Sequence, residues 1–202
     1  RAAAEPETTG TSGSAWRYPA LVTFFVLAIV VLVAMFAALI YNRLVRLRNK
    51  VEEAWAQIDV QLQRRHDLIP NLVNTVKGYA AHEKSTLEEV TAARTAAVAA
   101  QGAEAAGKSE EALTAALGRL FALAENYPDL KADQNFRQLQ EELSDTEDKV
   151  AFARQYYNDN VREWNTRIAS VPDNLVAGLM RAQKAEYFEL EGGAGAAPQV
   201  SF

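Results

Sequence analysis

QLQRRHDLIPNLVNTV, Gln61 to Val76, sets two arginines, a histidine, an aspartate and a proline in the middle of what otherwise reads as one long amphipathic helix. It is either the corner between two helices of a bundle or a kink within one. Asp67 suits an N-cap, where its carboxylate accepts from free amides of the next turn and meets the positive end of the helix dipole. Pro70 then falls in the first turn of a new helix, where a missing N–H costs little. Arg64, Arg65 and His66 would close the preceding helix, where cations suit the carbonyl end. Against the corner stands the phase of the apolar residues, which runs unbroken from Leu62 through Ile69 and Leu72 to Val76. The local signals favour the corner, with one helix ending at His66 and another starting at Leu68.

Around this stretch the chain reads as helix nearly throughout. Val51, Trp55, Ile58 and Leu62 before it, and Tyr79 after it, extend one apolar stripe at spacings of three and four. After Leu87, Val90 and an alanine-rich run, Gly102 and Gly107 surround a break. Leu113, Leu117, Leu120 and Phe121 then mark a shorter helix that stops before Pro128. Phe136, Leu139, Leu143, Thr146, Val150, Ala153, Tyr157, Val161, Trp164 and Ile168 keep a near-heptad spacing until SVPDN ends the longest helix. The predicted fold is all-α: an N-terminal transmembrane helix followed by an antiparallel four-helix bundle, with a short fifth helix around Leu175 to Arg181.

The transmembrane element is ALVTFFVLAIVVLVAMFAALI, Ala20 to Ile40, with Thr23 as its one polar side chain. At about 1.5 Å per residue it spans about 31 Å, the hydrocarbon thickness of a bilayer. It is too long for the core of a signal peptide, and no small-x-small cleavage site closes it. Trp16 and Tyr18 on one side and Tyr41 on the other fall where aromatic rings prefer the headgroup layer. Arg43, Arg46, Arg48 and Lys50 follow the span with no acid among them, so the larger C-terminal part is expected on the cytoplasmic side. The same four cations are candidates for anionic lipid headgroups. Ala34 and Ala38 form a small-xxx-small pair through which two spans would associate. The expected organisation is a disordered extracytoplasmic tail over 1–19, the span over 20–41, a cytoplasmic bundle over 42–190 and a flexible tail over 191–202. The chain opens on Arg1 rather than methionine, which leaves its natural start open.

Composition narrows the chemistry. The net charge of −5 over 202 residues argues against nucleic acid, and the absence of cysteine removes disulfides, thiolate metal sites and a cysteine nucleophile. Neither His66 nor His82 follows a glutamate at the spacing of a di-iron bundle, and adjacent residues such as His66 and Asp67 do not face each other on a helix. No cofactor, metal or catalytic residue is assigned. The expected mode of action is binding, by a membrane-anchored scaffold or adaptor, with a hydrolase built from helix ends or a lipid-sensing element as alternatives.

Candidate partner-binding residues are Arg64 and Arg65 at the corner, Trp164 in QYYNDNVREWN, and Val200 and Phe202 at the C-terminus. The asparagines of QYYNDNVREWN either fix helix register or join a recognition surface. The ending VSF, after a Gly/Ala linker, has the form of a peptide that adds to a sheet edge and caps its carboxylate on backbone amides, unless it folds back on its own bundle. The partners expected are membrane lipid through the anchor, an unidentified protein and a second copy of the chain.

Three long stretches carry a family resemblance: YNRLVRLRNKVEEAWAQIDVQLQRRHDLIPNLVNTVKGYAAHEKSTLEEVTAAR, ALGRLFALAENYPDLKADQNFRQLQEELSDTEDKVAFARQYYNDNVREWN and the closing APQVSF. Over Tyr41 to Phe202 the chain resembles the LemA family of bacterial membrane proteins. The resemblance implies an N-terminal anchor, a short extracytoplasmic tail and a helical bundle facing the cytoplasm, and it implies no catalytic residues. His66 and Trp164 depart from the usual pattern, in which a tyrosine is commoner at these positions.

Overall fold

In the computed structural model, α1 runs without interruption from Arg17 to Tyr79 and carries Pro70 in its interior. The corner expected at Asp67 is therefore absent. An interior proline costs a helix about 3 kcal/mol. Breaking there would take Leu62, Ile69, Leu72 and Val76, all nearly inaccessible to solvent, off their common face. Each such side chain contributes about 1.5–3 kcal/mol by burial, so the phase of the stripe outweighs the local signals.

The structure describes residues 17–189, with side chains from Leu21 onward. Residues 17–19, expected in the disordered tail, instead belong to α1; the rest of the expected tails, Trp16, the Tyr18 side chain, Val200 and Phe202 lie outside the described residues.

The chain divides into two compact units, up to Arg43 and from Leu44 on. In the first, nearly every residue from Leu21 to Leu39 is exposed. α1 is, among the described residues, the one helix long and apolar enough to cross a membrane, with a mean hydropathy of 3.0 in its most apolar window.

In the second unit, α1 turns at residues 80–83 into α2 (Lys84–Ala99), which is followed by α3 (Ala103–Ala124), a short α4 (Pro128–Ala132), the long α5 (Gln134–Ala169) and α6 (Asp173–Leu179). Gly102 makes the α2–α3 turn at φ +85°, a conformation that side-chain-bearing residues rarely adopt. Gly107, expected in the break, lies inside α3. Pro128 opens α4 at its first turn, and Asp133 caps α5 by accepting from Phe136 N at 2.9 Å.

α1 and α5 pack antiparallel in one constant register. Trp55 meets Tyr157, Arg65 meets Glu147 ten residues on and ten back, and Tyr79 meets Asp133 a further fourteen on and fourteen back. The half that ends at Tyr79 is a four-helix bundle, in which Ile69, Leu72 and Val76 of α1 share a core with Leu87 and Val90 of α2, Leu113, Leu117 and Leu120 of α3, and Phe136 and Leu143 of α5. The half that begins at Leu44 is built on the paired stripes of α1 and α5, and α6 and the extended residues that follow it close this half.

Candidate functional site

Arg65 and His66 do not end a helix. They point from the middle of α1 into the bundle, where Arg65 is 3% and His66 8% exposed. Glu110 of α3, 2% exposed, receives both: Arg65 Nη1 donates to its Oε2 at 2.9 Å, and His66 Nε2 lies 2.5 Å from its Oε1. Arg65 Nη2 also donates to Thr114 Oγ1 and to Glu147 Oε2 of α5, both at 2.8 Å. Arg94 of α2 completes the cluster, donating through Nε to the His66 carbonyl oxygen at 2.7 Å. That oxygen is the one a residue at position 70 would normally engage, and Pro70 has no N–H to give it. The proline in the helix and the arginine on the neighbouring helix thus answer each other, and α1, α2, α3 and α5 are tied at one level.

This arrangement corrects the expected docking pair. Arg64 is exposed, but Arg65 is enclosed and spends its guanidinium on the bundle itself. Both Arg65 Nη atoms are hydrogen-bonded while its buried Nε has no partner, and a buried ion pair of this kind specifies how helices meet more than it stabilises them. A carboxylate on a histidine nitrogen is also how a general base is oriented, yet Arg65, His66 and Glu110 line none of the clefts described below. His82, the other histidine, is exposed in the α1–α2 turn. Among the described residues no three histidine, aspartate or glutamate side chains gather where a metal ion would be held.

The second arrangement lies on α5. After α6, Arg181 takes φ 53° and the chain continues extended back along α5. Trp164 Nε1 donates to Gln183 O, and Tyr157 Oη to Glu186 O. Asn165 both donates to Ala185 O and accepts from Ala185 N, and Asn158 does the same with Phe188, all at 2.9–3.0 Å. The spacing explains the fit: seven helical residues from Asn158 to Asn165 rise about 10.5 Å, and three extended residues from Ala185 to Phe188 cover about 10 Å. Phe188, 1% exposed, packs its ring against Trp55, which also meets Tyr157. Burial, with Glu186 nearby, holds the Tyr157 hydroxyl above its usual pKa. At the far end of this strap Glu189 lies over Gly107, so close that a Cβ there would stand 2.1 Å from Glu189 O. Asn158, Asn165 and Trp164 therefore recognise a peptide backbone, and in this structure the backbone is the chain's own.

The third arrangement is open. A cleft of about 670 Å³ runs between α1 and α5, lined by Ala56, Val60 and Gln61 on one side and Phe152 and Ala153 on the other, with Glu53, Asp148 and Lys149 at its rim. Val60 is 62% and Phe152 76% exposed. Sequence reading missed this pair, because an apolar residue between two stripe positions carries no signal of its own. The juxtamembrane Arg43, Arg46, Arg48 and Lys50 are all exposed, with Arg48 paired to Glu52 on its own helix.

A membrane-length apolar helix that continues into an antiparallel bundle, its charged core closed and its clefts open, defines a membrane-associated helical-bundle protein. Residues 54–202 match the model of the LemA family, and the chain belongs to that family. Among its relatives are magnetosome protein MamQ 2 of Paramagnetospirillum magneticum, 28% identical over 87% of this chain and 75% of that protein, and magnetosome protein MamQ of Magnetospirillum gryphiswaldense, 26% identical over 87% and 74%. Protein LemA of Metamycoplasma hominis is 25% identical over 82% of this chain and 78% of its own length.

Proposed function

We propose that the protein is a membrane-anchored adaptor that acts by binding other proteins rather than by catalysis. The observation that carries this reading is the cleft between α1 and α5, where Val60 and Phe152 stand exposed side by side with no helix over them. A cleft between two helices suits the apolar face of a third, and the carboxylates of Glu53 and Asp148 in its lining, beside Lys149, favour a partner helix with basic flanks. The cations Arg43, Arg46, Arg48 and Lys50 after the span favour a cytoplasmic bundle and suit anionic headgroups. Arg64 and the C-terminal Val200 and Phe202 are further contact candidates, and Ala34 with Ala38 is the surface for self-association of the span.

The test is a crosslinking pull-down from native membranes with the intact chain and with Phe152→Glu, Val60→Glu, Arg64→Glu and a chain lacking Val200 to Phe202. The adaptor reading expects a reproducible protein partner that Phe152→Glu and Val60→Glu lose. A partner lost only with Arg64→Glu or the truncation would move the surface. Absence of any partner from every chain would end the reading.

A further inference from the structure

The segment from Val171 to Leu179 presents to solvent an unbroken apolar surface that nothing in the bundle covers. Leu175 is 69% and Leu179 87% exposed, and four residues apart in α6 they share one side, while Val171, in the turn that leads into α6, is 79% exposed. The one ionisable residue in the segment, Asp173, is turned inward, 6% exposed and 3.7 Å from Arg167 Nη1. Water therefore meets leucine, valine, Pro172 and Gly178, and no charge.

The register of the bundle says where this ridge is. Carried forward from the Trp55–Tyr157 and Arg65–Glu147 pairs, it sets Arg48 level with Trp164, and both line one cleft together with Met180 and Arg181. It sets Ile168 level with Leu44, the first residue of the second unit. Along the chain, Leu44 comes three residues after Tyr41, which closes the apolar span, and Val171 comes three residues after Ile168. Arg48 of α1, paired with Glu52, and Arg181 line the cleft beside Met180 at the end of the ridge, and Lys184 stands exposed three residues further on. An uncharged apolar ridge bordered by lysine and arginine is the pattern of a segment lying in a lipid interface.

We infer that Val171, Leu175 and Leu179 enter the headgroup layer of the anchoring membrane, with Arg181 and Lys184 on anionic lipid, so that the bundle touches the bilayer at a second point besides its span. The contact does not depend on the adaptor reading, and neither does its test.

The chain contains no cysteine, so one can be introduced at will. Leu175→Cys, Leu179→Cys and, as a control beside the distant α1–α2 turn, Ser85→Cys are labelled with an environment-sensitive fluorophore. The full chain is then reconstituted in vesicles of phosphatidylcholine with phosphatidylglycerol. The inference expects blue-shifted emission at positions 175 and 179, loss of more than half of it to nitroxide-bearing lipid, and neither effect at position 85. Adding Arg181→Glu and Lys184→Glu should weaken both effects. Water-like, unquenched emission at 175 and 179 overturns the inference. So does a blue shift that lipid nitroxide leaves untouched, since protein, such as a second copy, would then cover the ridge.

Discussion

Arg94 donates its Nε hydrogen to the carbonyl oxygen of His66 at 2.7 Å, the oxygen that Pro70 leaves without a helical partner. A half-buried carbonyl without a donor costs about 1–3 kcal/mol, so Arg94→Met should destabilise the bundle by that order. Pro70→Ala restores an N–H four residues on. In that background Arg94→Met should cost a small fraction as much. A double-mutant cycle read by thermal unfolding in detergent checks this, and strict additivity of the two changes would show that the Arg94 bond does not compensate for the N–H that Pro70 lacks.

Glu110→Ala strands the buried Arg65 with its principal carboxylate gone, and should cost about 3–5 kcal/mol. Replacing both partners, Arg65→Met with Glu110→Leu, should recover most of that loss, because no uncompensated charge remains. Unfolding midpoints of the two variants measure the difference.

Asn158→Asp or Asn165→Asp keeps the side chain's size but faces a carboxylate to the carbonyl of Phe188 or Ala185. The amides of these two residues should then lose their protection in hydrogen exchange, while α2 and α3 keep theirs. Gly107→Ala should free the strap from its other end, since the new Cβ collides with the Glu189 backbone. Its own helix should gain slightly from the change, by about 0.5–1 kcal/mol.

Asp133 takes a backbone bond from Phe136 and a hydroxyl bond from Tyr79, and in that order they lower its pKa; the same contact raises that of Tyr79. A depressed carboxylate stabilises the fold above its unfolded pKa of about 3.9, and that contribution disappears as pH falls through the lower folded value. Melting temperatures of the parent and Asp133→Asn should therefore differ at neutral pH and converge in acid below about pH 4.

The span, the long α5 and the short α6 were legible because each rests on periodicity or length alone. The place of the first turn was not. Asp67 and Pro70 spell a helix start as well as any pair in the chain, whereas GYAAHEK, where α1 does end, offers only Gly78 as a breaker. Tertiary burial of Ile69, Leu72 and Val76 overruled the local spelling. The buried cluster did leave a trace. Arg65 falls between Leu62 and Ile69, and Glu110 between Ala106 and Leu113, each in phase with an apolar stripe. A charge at a core position calls for a partner at another core position, and these two answer each other. Arg94 left none, for its role exists only because of a carbonyl on a different helix. The asparagines of α5 were legible as surplus amide character, but the backbone they hold was not, since main-chain recognition has no sequence signature.

That last point bears on which substitutions the chain can absorb. Asn158, Asn165, Tyr157 and Trp164 grip only peptide groups of the strap, and every amino acid carries the same peptide group apart from proline, which lacks the N–H. As far as the fold is concerned, Gln183 to Tyr187 should therefore accept nearly any side chain, with proline refused at Ala185, whose amide is donated, and with the positive charge of Lys184 kept for lipid contact. Phe188, whose ring meets Trp55 and whose amide is donated, is the one letter of the segment that is spelled out. The helix that reads this segment is accordingly the constrained half of the pair, and the text it reads is nearly free to drift.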